Sequence, residues 1–152
     1  MKSLLFFILM CFVFPAGVQA AETGALGSKE GLNGFEGKMV GKIWVTTEAI
    51  DQSGASVPAA DERVAVYFGN AEYFPGGKFN MTTPDGQPKM HGLWSLSEDG
   101  KTRTLTVLDD QGRTRFIRTV ENVKVEDNEY TYRIYPEEGK TAVYIDIVHH
   151  PK

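Results

Sequence analysis

The sequence predicts an all-β protein, an antiparallel up-and-down barrel of about eight strands. Three observations carry this expectation. Residues 78–108 read KFNMTTPDGQPKMHGLWSLSEDGKTRTLTVL, with apolar and polar side chains in alternation. Asp85-Gly86 and Asp99-Gly100 cut that run into three pieces. Asp-Gly tolerates positive φ and suits tight turns, so the run is a three-stranded meander with Trp94 near its middle. The same rhythm of strand and glycine-containing turn continues on both sides, and no stretch has a convincing helical period.

The order of elements begins with residues 1–20, a secretory signal peptide. Lys2 supplies the positive start, Leu4 to Val13 is almost wholly apolar, and Val18-Gln19-Ala20 offers small residues for cleavage after Ala20. The apolar run is too short to span a bilayer, so no transmembrane segment is expected in the mature chain. Localisation is therefore expected to be periplasmic or secreted. Cys11, the single cysteine, lies inside this segment, so disulfides cannot hold the mature domain. Residues 21–37 (AETGALGSKEGLNGFEG) are glycine-rich and read as a flexible leader with one short helical turn near Ser28 to Leu32. Phe35 is placed to plug one end of the fold.

Residues 38–152 form the expected barrel domain. Lys38 to Ile50 is read as the first strand, with Trp44 and Thr46 on one face and Ile43 and Val45 on the other. Asp51 to Glu62 is a loop long enough to act beside a binding site. Arg63 to Phe68 resumes the alternation and is read as a strand. Ala71 to Phe74 makes a short strand before the meander. Arg113 to Val125 places Phe116, Arg118 and Val120 on one face. Glu129 to Tyr135 groups Tyr130, Tyr132 and Ile134. Thr141 to His149 groups Val143, Ile145 and Ile147, and Pro151 ends it.

Several motifs resemble known ones. Gly41-Lys42-Ile43-Trp44 is similar to the Gly-x-Trp of lipocalins, displaced by one residue. Gly92-Leu93-Trp94, Asp99 to Leu105, and Val148-His149-His150-Pro151 resemble an uncharacterised family of exported bacterial lipocalin-like (calycin) domains. The resemblance runs from Lys38 to Pro151 and implies the barrel fold and export. It supplies no active site. Members of that family are often lipoproteins, whereas Cys11 here follows the bulky Met10.

The formal net charge is −4, with no basic block, which argues against nucleic-acid binding. No cofactor is expected. The three histidines have no metal-ligand spacing, and His149-His150 is read as an exposed pair. Neither Gly-x-Ser-x-Gly nor a mature cysteine is present, so an enzyme, of hydrolase type, ranks third and no catalytic residue is assigned. Aromatic and methionine residues recur on strands and suit an apolar pocket. The candidate ligand-binding residues are Trp44, Phe79, Met81, Met90, Trp94, Arg115, Phe116 and Tyr132. Arg103, Arg115, Arg118 and Arg133 also lie on strands, and one pointing inward would suit an anionic head group. The leading expectation is a monomeric module that binds a small apolar or amphiphilic molecule. The alternative is a filled barrel that binds or inhibits another envelope protein.

Overall fold

The computed structural model describes residues 31–152. The expected signal peptide, Cys11 and most of the leader lie outside the described residues. Eight antiparallel strands close into one barrel in sequence order: β1 (Ile43–Asp51), β2 (Asn70–Tyr73), β3 (Lys78–Thr82), β4 (Pro88–Leu96), β5 (Thr102–Leu108), β6 (Thr114–Val125), β7 (Tyr130–Ile134) and β8 (Ile145–Pro151). Each strand pairs with its successor, and β1 pairs with β8 to complete the ring. Closure leaves no free edge for another chain to extend.

Register follows the apolar phase of each strand. Pairing of Arg103 with Val120, Leu105 with Arg118 and Val107 with Phe116 puts these six side chains on one face of β5 and β6. Tyr130 pairs with His149, Tyr132 with Ile147 and Ile134 with Ile145, which places β7 and β8 on the same inner face. Register shifts at Thr46/Glu48 and Asn122/Lys124 move the phase by one residue. Ala49 and Val125 are consequently buried, while Val123 stands outside. Gly92 is required by a close approach. A Cβ there would lie 2.0 Å from the Thr106 carbonyl oxygen.

Four elements depart from the sequence expectations. Residues 34–37, taken as leader, and 38–39, taken as strand, form the short helix α1 (Gly34–Met39). Asn33 caps it by accepting from Phe35 and Glu36 backbone N–H groups, while Glu36 Oε2 accepts from Asn33 N. That reciprocal capping box holds the helix despite its glycines. Glu36 Oε1 also accepts from Leu96 N at 3.0 Å, which ties the helix to β4. Phe35 packs against Gly100 at this closed end.

Residues 63–68 do not form a strand. Asp61 Oδ1 accepts from Arg63 N, and Asp61 O accepts from Val64 N and Ala65 N. This turn leads into a 3-10 helix, Ala65–Tyr67. The segment folds over the opposite, open end with Val57 and Val64 buried beneath it. Here the chain must cross the mouth from β1 to β2, and a helical turn follows that path where an extended strand could not. Residues 141–144 precede β8 rather than belonging to it, and the strand runs on to Pro151. His149 is therefore buried and only His150 is exposed, which corrects the exposed pair.

Candidate functional site

The closed half of the barrel is filled. Trp44 is fully buried, donates its indole N–H to Met39 O at 2.9 Å and meets Tyr130 edge-on. Trp94 donates to Phe74 O at 3.0 Å, and its ring lies 5.0 Å from that of Tyr73. Phe79 packs against Tyr73 in the same layer. These three candidate ligand-binding residues are core residues in this structure, with both indole donors satisfied by backbone.

Above that layer lies a cavity of about 40 Å³. Met81, Met90, Phe116 and Tyr132, four of the candidate residues, line it together. Leu105 and Val107 complete an apolar wall, and Val66, Tyr67 and Gly69 close it from the lid side. The Asp51 to Glu62 loop itself does not line the cavity. The residues just after it do. Arg115 lies outside, in an open groove of about 600 Å³ that it shares with Met81, Met90, His91 and Asp109.

The floor of the cavity is polar. Arg103 is 2% exposed, and its Nη1 donates to the Tyr73 hydroxyl at 2.5 Å. Its guanidinium lies 4.5 Å from the centre of the Tyr132 ring and 5.5 Å from that of Tyr130. Arg103 Nε is buried and has no hydrogen-bond partner. Burial alone would lower the pKa of this guanidinium, but Tyr130, Tyr73 and Tyr132 around it raise it above its ordinary value. Arg103 is therefore a permanently charged group in the barrel interior. Burial pushes the Tyr132 hydroxyl up to about 12, against the opposing pull of Arg103, so the phenol stays neutral.

His149 stacks on Tyr132 with ring centres 5.2 Å apart. Its Nδ1 lies 3.0 Å from Tyr130 O, and a carbonyl can only accept, so Nδ1 carries the proton. Burial and then the Arg103 charge push its pKa down to about 3, and the ring is neutral. At the mouth, Lys89 Nζ donates to Val66 O and to Phe68 O. Burial and the adjacent Arg118 lower the Lys89 pKa. Arg118 stands over the rings of Tyr67 and Phe116 at 5.5 and 5.8 Å.

Arg103, Lys89 and His149 were not among the candidate ligand-binding residues. A signal for two of them exists in the pattern. Arg103 is in phase with Leu105 and Val107, and His149 with Ile145 and Ile147, so each occupies an inward position on its strand. Among the described residues, no three His, Cys, Asp or Glu side chains gather where they could hold a metal ion. No helix of the described residues is long and apolar enough to cross a membrane.

The closed eight-stranded meander, with a lid over one end and a helix under the other, is an up-and-down β-barrel, the architecture that lipocalins also have. Within that class, a family model described as a domain of unknown function, DUF4822, matches residues 38–152, and the chain belongs to that family. Comparison with curated proteins gives no match. Among solved structures, the chain is similar to a lipocalin-like protein from Bacteroides uniformis, with 16% identity and a TM-score of 0.47 over 74% of this chain and 97% of that one. It is also similar to a biogenic amine-binding protein, with 12% identity and a TM-score of 0.41 over 82% of this chain and 68% of that one. Pairing of the eight strands, rather than these distant likenesses, defines the barrel.

Proposed function

We propose that this protein is an exported module that binds a small apolar or amphiphilic molecule in the upper half of its barrel. The observation that supports this most directly is the cavity between Met81, Met90, Phe116 and Tyr132. Methionine and aromatic walls are polarisable and adaptable, which suits a small apolar guest. A lid segment rather than a hairpin covers that end, so the route inward is bounded by Val66 and Phe116, 60% and 40% exposed. Export rests on the composition of residues 1–20.

Methionine methyl NMR tests the reading. The protein is labelled at its methionine methyl groups and titrated with short-chain alcohols, carboxylates and amines. Met81 and Met90 should shift with saturation. Met39, buried at the closed end, is the internal control and should stay fixed. If every compound leaves Met81 and Met90 unmoved at millimolar concentration, the cavity is not a binding site.

A further inference from the structure

The distribution of unpaired cations goes further than the shape of the cavity. Most basic side chains of the described residues sit against a carboxylate. Arg63 meets Asp61, Arg113 meets Asp109, Arg133 meets Asp146, and Lys38, Lys42, Lys101, Lys124 and Lys140 each have an acidic neighbour within 4.0 Å. Of the six that do not, Lys78, Arg115 and Lys152 lie elsewhere, while Arg103, Arg118 and Lys89 line the same cavity. This concentration occurs in a chain whose formal net charge is −4. Lys89 is held at the mouth by two backbone carbonyls and Arg118 by two ring faces, with no carboxylate on either.

Arg103 carries the argument. A guanidinium taken out of water normally meets a carboxylate, because desolvation of an unpaired ion is costly. Here it meets tyrosines in place of a carboxylate: the Tyr73 hydroxyl, a side-chain hydrogen bond with Tyr132, and the faces of tyrosine rings. Aromatic faces offset part of the desolvation. They do not use the in-plane N–H donors, and Nε remains without an acceptor. A guanidinium presents five donors in a planar fork that matches a carboxylate.

We infer that the ligand is a small monocarboxylate with a short apolar tail, its carboxylate on Arg103 and its tail among Met81, Met90 and Phe116. This rests on the binding function proposed above and specifies its head group. A cavity of about 40 Å³ has room for little beyond the carboxylate, so the tail must run along the wall and leave between Val66 and Phe116. Lys89 and Arg118 lie on that route and would draw an anion inward.

The experiment compares hexanoate, hexanol, hexylammonium and inorganic phosphate on the purified protein. It follows the methionine methyls together with the arginine Nε–H resonances. Hexanoate is expected to bind at least tenfold more tightly than hexanol, with hexylammonium and phosphate not displacing it. The Arg103 Nε–H resonance should move downfield as its missing acceptor arrives. Arg103→Met should weaken hexanoate at least tenfold and leave hexanol within about twofold. If that variant does not fold, the Arg103 resonance of the unmodified protein decides.

Equal binding of hexanol and hexanoate, a stationary Arg103 resonance, or preference for phosphate would each overturn the carboxylate assignment while leaving a binding cavity. Failure of all four compounds to move Met81 or Met90 would remove the cavity reading and this one with it.

Discussion

Acidification should destabilise this protein well before its carboxylates titrate, and His149 is the reason. The buried ring is held neutral, with a pKa pushed down to about 3 from an ordinary 6.5. The groups that face it are Arg103 from β5, Tyr130 and Tyr132 from β7, and its neighbour His150. None of them offers an anion that would favour the charged ring. Between these two pKa values the unfolded chain holds a proton that the folded chain rejects, so stability rises with pH through that window. Stability is full above the unfolded pKa and is lost as pH falls toward the folded one. At roughly 1.4 kcal/mol per pH unit, the loss between about pH 8 and pH 5 integrates to roughly 2 kcal/mol.

Carboxylates add little in that interval. Asp51, Asp61, Asp99, Asp109 and Glu129 all have lowered pKa values, so their contributions are lost only at more acid pH. The assay is urea denaturation at several pH values, in which roughly 2 kcal/mol corresponds to a midpoint shift of about 1 M. His149→Asn keeps an N–H donor near the Nδ1 position and removes the titration, so its midpoint should be flat over the same range. His91 and His150 remain in both proteins and cancel. Equal pH slopes for the two proteins would refute the reasoning.

Other expectations follow from single contacts. Gly92→Ala should cost at least about 2 kcal/mol in denaturant unfolding, because its Cβ would meet the Thr106 carbonyl. Gly112→Ala, whose position is open but has φ +77°, should cost only about 1 kcal/mol, from backbone strain alone. Glu36→Gln sets an amide where a carboxylate accepts from both Asn33 N and Leu96 N, and should lower stability by roughly 2 kcal/mol in the same measurement. Arg103→Met removes a buried ion that has no carboxylate partner, so stability should stay within about 1 kcal/mol or rise. A loss of several kcal/mol there would mean the charge is held by an interaction that the surrounding tyrosines do not account for. Mass measurement of protein recovered from the cell envelope should find a chain that begins at Ala21.

Much of the barrel was legible because its signals are local. Asp-Gly turns and period-two alternation are properties of neighbouring residues, and they located β3, β4 and β5 closely. The grouping of Tyr130 with Tyr132 and of Ile145 with Ile147 by face was also legible, and the structure turns both groups inward. Misreadings arose where long-range geometry overrides a local pattern. Arg63 to Phe68 alternates like a strand, yet it must cross the mouth, and Asp61 turns it. Asn33-Gly34-Phe35-Glu36 carries a capping-box signature that two glycines in the helix obscured. The bulge after Asn122 hid Val125 and exposed Val123, a change of face that alternation cannot signal.

The site was legible only in part. Met81, Met90, Phe116 and Tyr132 meet at one cavity, while Trp44, Phe79 and Trp94 fill the closed end and Arg115 lies outside. Aromatic content identifies an interior but not its empty portion, which depends on how far each side chain reaches across the barrel. Arg103 shows the same limit. Its phase marks it as inward, but its lack of a carboxylate emerges only when seven other strands are set around it.

The most direct test is an intermolecular NOE experiment on the unmodified protein with hexanoate. Cross-peaks from the hexanoate chain to the methyls of Met81 and Met90, with none to Met39, are the predicted result. Cross-peaks confined to outward residues such as Ile117, or none at all with hexanoate in excess, would contradict a binding site inside this barrel.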